Sequence, residues 1–186
     1  MPRNESTACD TLAQRMGESS HLSPLLRKAE RLRGGGADLE EWLLKLAVTR
    51  GASHYRDLQS HSDRESFPEP KDFSNEELGV SLCSGQLRYD PKLVRAAGQL
   101  LSSPLIDSSK LLRLAAMERC QRVLWWIACA CERVDKSAQP WAALRDSLSP
   151  CAPVPSGILP HWSRFVLQTG IGRDGRPHTL WLSRNE

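Results

Sequence analysis

The sequence predicts a mainly α-helical fold, because apolar side chains recur at helical spacing along most of the chain. Capping residues precede these patterns, and Gly or Pro follows them. The stretch 111–134, LLRLAAMERCQRVLWWIACACERV, contains neither Gly nor Pro, and it is apolar or Cys from Val123 to Cys131. A helix that is apolar on all sides must be enclosed by protein or lipid. We therefore expect the centre of the fold here.

Two helices are predicted over residues 22–51, where they are expected to form a helical hairpin. Ser23 and Pro24 fit an N-cap followed by proline at the first helical position. The glycine run 34–36 ends this helix. Asp38 can cap the second helix. The sequence leaves open whether the hairpin docks on the rest of the chain.

A helical core of about five helices is expected over residues 74–149, after a polar linker or long loop at 52–73. Ser74 and Glu77 fit a capping box at its start. Asp90 and Asp107 are predicted caps of later helices. These helices can form a compact bundle or a short α-solenoid, and the sequence leaves both open.

The apolar stretch is expected to divide into two helices that meet near Glu118–Arg122, where the polar face rotates. A single helix over 108–134 would be unusually long for a small domain. The second helix should be the buried axis of the core. Trp125 and Trp126 point about 100° apart on a helix, so they should pack against different neighbours.

The two ends of the chain lack the helical pattern of the middle. Residues 1–21 are polar and predict a disordered tail. Residues 150–186 begin with a proline-rich segment and continue with β-formers around Asp174-Gly175, a strong turn signal. We expect a C-terminal β-hairpin packed on the helical core, because a lone hairpin is only marginally stable.

The composition excludes several classes of function. The net charge of +3 is too small to indicate nucleic acid by itself. The run Val123–Cys131 has about half of the ~20 residues needed to cross a bilayer, so no membrane partner is expected. Six cysteines without a CxxC motif fit packed, reduced thiols, which predicts a soluble cytoplasmic protein. The sequence predicts no cofactor and no metal, since His54 and His61 have no further ligands nearby.

Catalytic candidates are weak, so an enzymatic role is left uncertain and a non-enzymatic one is favoured. His161 and Ser163 lie two apart in an extended segment near Arg164, with no sign of an oxyanion hole. Cys120 lies at the expected helix junction, where a helix N-terminus could stabilise a thiolate. Whether Cys120 is reactive stays open.

The leading hypothesis is a protein–protein interaction or scaffold module, because a helical body without a catalytic constellation is typical of a binding surface. The alternative is a nucleic-acid-binding or regulatory protein that uses the basic C-terminal hairpin. No motif identifies a family, and the sequence leaves the partner, pathway and oligomeric state undetermined. The candidate binding residues are aromatic or basic: Trp162, Arg164, Arg173, Arg176 and Trp181.

Overall fold

The computed structural model describes residues 23–35, 38–52, 69–134, 141–148, 151–162, 169–171 and 177–179. These ranges contain seven α-helices: α1 (Pro24–Arg33), α2 (Leu39–Thr49), α3 (Asn75–Ser81), α4 (Pro91–Leu101), α5 (Ser108–Met117), α6 (Gln121–Val134) and α7 (Trp141–Ser147). A 3-10 turn, Gly85–Leu87, precedes α4. Two short strands follow the helices: β1 (Thr169–Ile171) and β2 (Pro177–Thr179). The predicted tail 1–21 and most of the predicted loop 52–73 lie outside the described residues.

The first five helices begin where the sequence predicts, because each cap acts on backbone groups two or three residues away. The side chain of each cap accepts a hydrogen bond from a backbone N–H in the first helical turn. The capping box at the start of α3 is complete, with the Glu77 side chain accepting from the Ser74 N–H. The caps of α1 to α5 are Ser23, Asp38, Ser74, Asp90 and Asp107.

The helices share one hydrophobic core in which α3 and α4 are central. Helix α3 packs against α1, α2, α4 and α5, while α4 packs against α2, α3 and α6. All of these pairs lie at most two helices apart in chain order, an arrangement that a compact bundle and a short α-solenoid share. The part of the chain that the structure describes has seven helices rather than about five, because the predicted N-terminal hairpin α1–α2 packs with the others.

A glycine allows α3 and α4 to approach closely. A Cβ atom added at Gly79 would lie 2.7 Å from Cδ2 of Leu101, a side chain that is 1% exposed. No real carbon approaches another so closely without displacement. The crossing of the two central helices therefore depends on the missing side chain at position 79.

The apolar stretch divides as predicted, because α5 ends at Met117 and α6 begins at Gln121. Helix α6 is not enclosed on all sides, however. Trp125, Trp126 and Cys129 are only half-buried, since this side of the helix faces a surface groove. The buried side of α6 consists of Val123, Leu124, Ile127, Ala128, Ala130 and Cys131.

The predicted β-hairpin packed on the core is not seen in the described residues. What they contain is a pair of three-residue strands, β1 and β2, which run antiparallel with Gly170 opposite His178. The residues that join the two strands, 172–176, lie outside the described residues. A two-stranded pair of this length buries too little surface to be stable alone.

Candidate functional site

An aromatic groove crosses the exposed side of α6. We call it the tryptophan groove and define it by the residues that line it: Trp125, Trp126, Cys129, Ala130, Arg133, Val154, Pro155, Ser156, Gly157, Leu159, Pro160, His161 and Trp162. Its volume is about 480 Å³, which falls within the range of roughly 300–1,000 Å³ typical of ligand sites. It is thus large enough to hold several side chains of a partner.

One side of the groove belongs to α6. Trp125, Cys129 and Arg133 follow one another at a spacing of four residues, so they lie along one face of the helix. Trp126 lies beside them and lines the same groove. Both tryptophans thus line one groove, and that they pack against different neighbours stays a prediction.

The opposite side is the proline-rich segment 154–162. Leu159 anchors this segment, because its side chain is 7% exposed and belongs to the hydrophobic core. Val154 and Trp162 pack partly buried against that core, while Pro155 stays exposed. Gly157 has φ of 86°, a left-handed conformation that suits glycine and turns the segment. The groove thus lies between a helix and a turn-containing loop.

Charge and aromatic faces meet at one end of the groove. The guanidinium carbon of Arg133 lies 5.3 Å from the ring centroid of Trp162, which is within cation–π distance. The ring of His161 lies 5.4 Å from that of Trp162. Arg133 is solvent-exposed, and none of the described residues lining the groove is acidic. This end of the groove is therefore suited to an anionic group.

Only one of the five predicted binding residues can be located. Trp162 lies in the groove, whereas Arg164, Arg173, Arg176 and Trp181 lie outside the described residues. Sequence reasoning missed the α6 side of the groove, because it interpreted the apolar run as fully buried. The adjacent tryptophans were the feature that could have indicated this side of the groove. Two neighbouring side chains of a helix cannot both point into the narrow stripe that faces the protein core.

Neither Cys129 nor Cys120 has the properties of a catalytic nucleophile. Burial raises the pKa of Cys129 in the groove above its ordinary value, and nearby Arg145 only partly opposes this effect. Burial likewise raises the pKa of Cys120 to about 12, although a hydrogen bond with Ser84 and the charge of Arg88 oppose this rise. Both groups stay protonated thiols at neutral pH, whereas the reactive form is the thiolate.

Metal and hydrolytic candidates from the sequence cannot be located, because His54, His61 and Ser163 lie outside the described residues. Within the ranges that the structure covers, no group of three or more His, Cys, Asp or Glu side chains could hold a metal ion. No helix among the same residues is both long and apolar enough to cross a membrane.

The fold and the groove define a small, mainly α-helical chain with an aromatic cleft on its surface. No protein-family model, curated protein or solved structure matches it. Function must therefore be argued from the site, since a fold of this kind supports many activities.

Proposed function

We propose that this chain is a non-enzymatic protein–protein interaction module whose tryptophan groove binds an extended, proline-rich peptide that bears an acidic side chain. The observation that supports this proposal is the groove itself, which is about 480 Å³ in volume and has tryptophans on both sides. Proline-rich segments dock into aromatic-lined grooves because a polyproline II chain is extended before it binds and loses little entropy.

The chemistry of the groove fits such a peptide. Pro155 and Pro160 line the groove opposite Trp125 and Trp126. A proline of the peptide would pack on the half-buried rings of Trp125 and Trp126. Tryptophans are also the residues most often found at the energetic centres of protein interfaces.

Charge complementarity selects among proline-rich peptides. Arg133 is exposed at the end of the groove, and no acidic side chain lies among the described lining residues. An Asp or Glu in the peptide would pair with this guanidinium and fix the direction of binding.

The proposal is tested by selecting peptides from a displayed library of proline-containing sequences on the full chain, then measuring affinities by calorimetry. Trp162→Ala should weaken the selected peptides about tenfold or more, and Arg133→Glu should weaken those with acidic residues. The matched controls lie away from the groove: Met117→Ala at a 44% exposed side chain, and Arg113→Glu on the exposed face of α5. The proposal would be overturned if the groove variants and the control variants weakened peptide binding equally, or if the selection yielded no peptide that binds.

Nucleic-acid binding through the basic C-terminal residues is the alternative. Its residues Arg173, Arg176 and Trp181 lie outside the described residues, so it rests on the sequence alone. A nucleic-acid pull-down at two salt concentrations separates the two, because counterion release makes nucleic-acid affinity fall steeply with salt. Absence of binding at low salt would rule this alternative out.

A further inference from the structure

An exposed leucine lies on the turn that connects α4 to α5. We call this segment the leucine turn and define it as residues 103–107, with the sequence SPLID. Pro104 and Leu105 are exposed, whereas Ile106 is half-buried against the hydrophobic core. The Leu105 side chain is 86% exposed, the largest value among the large apolar side chains that the structure describes. Single exposed leucines are common on protein surfaces, so exposure alone does not indicate a binding site.

Three hydrogen bonds hold the leucine turn in one conformation. The Leu105 N–H donates to Ser103 Oγ at 3.3 Å, and the Ile106 N–H donates to the Ser103 carbonyl at 3.3 Å. The Asp107 N–H donates to Glu76 Oε1 at 3.0 Å, which ties the end of the turn to α3. A segment that is ordered before it binds loses little conformational entropy on binding. The fold therefore presents Leu105 on a preorganised turn.

The composition of the leucine turn matches the ligand proposed for the tryptophan groove. That ligand combines proline with an acidic side chain, and Pro104 precedes Asp107 by three positions. Asp107 is exposed, and its carboxylate caps α5 by accepting from the Ser109 and Lys110 N–H groups. The cap fixes the carboxylate in position, so a negative charge lies beside the apolar side chains of the turn.

The tryptophan groove offers a complementary surface. Trp125 on α6 and Trp162 on the proline-rich segment line its volume of about 480 Å³. Arg133 is exposed at one end, over the ring of Trp162, and none of the described lining residues is acidic. The side chains of Pro104 and Leu105 can pack on the indole rings. The Asp107 carboxylate would then pair with the Arg133 guanidinium.

The leucine turn does not fill the groove of its own chain, because Leu105 is highly exposed and is not among the residues that line the groove. We propose that the tryptophan groove of one copy binds the leucine turn of a second copy. Such a contact is heterologous, since it joins two different surfaces of the same chain. This self-association rests on the proposed function, because it uses the same groove and names one partner for it.

The direct test is sedimentation velocity of the full chain at concentrations from ~1 μM to ~1 mM, which bracket a weak association. We expect a Kd between ~10 μM and ~1 mM, because one turn in one groove buries far less than the ~1,600 Å² of a standard interface. A native chain that stays monomeric at ~1 mM would overturn the proposal.

Point variants test both sides of the contact. Leu105→Gln should raise the Kd about tenfold or more, because it replaces an apolar side chain that the contact buries. Its matched control is Met117→Gln, at the other exposed large apolar side chain that the structure describes. Asp107→Asn keeps a good N-cap and should raise the Kd about two- to fivefold. Arg133→Glu should raise it about tenfold or more, with Arg113→Glu as its control. Unchanged association in Leu105→Gln would overturn the proposal, because another segment would then fill the groove.

A mixture of two defective variants separates a lost contact from a lost fold. Leu105→Gln retains the groove and Trp162→Ala retains the turn, so each alone should be monomeric at a concentration where the native chain associates. Their equimolar mixture should form a one-to-one dimer, since one intact turn then meets one intact groove. A mixture that stays monomeric would overturn the proposal.

Peptide binding and self-association can fail separately. A native chain that binds selected peptides but stays monomeric retains the proposed function and loses the second copy as a partner. A chain that associates through the turn but selects no peptide shows the reverse. Where both hold, turn and peptide compete for one groove, so Leu105→Gln should bind peptide more tightly than the native chain does at concentrations above the Kd for association. Equal peptide affinities at those concentrations would overturn the proposal.

Discussion

The Glu118 side chain joins two parts of the chain that lie 93 positions apart, because its Oε1 accepts a hydrogen bond of 2.8 Å from the backbone N–H of Leu25. Leu25 lies in the first turn of α1, where Ser23 already satisfies the N–H of Leu26. Glu118 is fully buried at the end of α5. A side chain of the helical core thus caps the first helix of the N-terminal hairpin, so the hairpin docks on the core.

Removing this cap should destabilise the whole bundle. Glu118→Ala leaves the Leu25 N–H buried without its acceptor, which should lower the free energy of unfolding by about 2–3 kcal/mol. Glu118→Gln keeps a carbonyl oxygen at the same position and should cost about 1 kcal/mol or less. Urea unfolding followed by circular dichroism measures both. Equal losses in the two variants would contradict the role of Glu118 as an acceptor.

Stability should fall in acid because of two carboxylates at the start of α3. Burial raises the pKa of Glu76, but hydrogen bonds from the Asp107 N–H and Ser74, with the charge of Lys110, outweigh it and lower the pKa below its ordinary 4.5. Burial also raises the pKa of Glu77. The hydrogen bonds from Lys28 and the Ser74 N–H outweigh this effect, so the pKa of Glu77 is likewise lowered.

Because both groups bind protons more weakly in the folded chain than in the unfolded chain, they stabilise the fold above pH 4.5. This contribution is lost as the pH falls through their folded pKa values. Urea midpoints measured between pH 7 and pH 3 should decline below that point. The double variant Glu76→Gln, Glu77→Gln should show a shallower decline, and a decline as steep as that of the native chain would contradict the assignment.

The crossing of α3 and α4 should not tolerate a methyl group. Alanine is the better helix former by about 1 kcal/mol, but the Cβ of Gly79→Ala would collide with Leu101. Overpacking of this kind typically costs about 1–3 kcal/mol. We expect Gly79→Ala to lower the free energy of unfolding, and Leu101→Ala to be less harmful in the Gly79→Ala background than alone. Additive effects in this double-mutant cycle would show that the two positions do not interact.

The cysteines should differ sharply in reactivity. Cys83, Cys120 and Cys131 are fully buried, and burial raises the pKa of Cys83 and Cys120 well above the ordinary value. Among the five cysteines that the structure describes, Cys151, which is partly exposed, should react first with iodoacetamide, and Cys129 more slowly. The three buried thiols should react only in denaturant, as mass spectrometry of the digested protein would reveal. Fast labelling of Cys120 in the native chain would contradict its packed position.

Much of the helix pattern was predictable, because caps act locally. Asp90 and Asp107 bind N–H groups two and three residues ahead, so their effect can be recognised in a window of four residues. Arg119 was not recognisable in this way. Its position after α5 usually belongs to glycine, and nothing local indicates that an arginine would adopt the left-handed conformation.

The candidate site depended on contacts between distant segments. Trp125 and Trp126 belong to an apolar run that predicted complete burial, and their exposure depends on where segment 154–162 comes to lie. Apolar spacing and capping residues determine where each helix begins and ends, since those forces act over a few residues. Tertiary packing alone decided which half-buried and charged side chains share a cavity, because it sets the distances between residues that the chain order keeps apart.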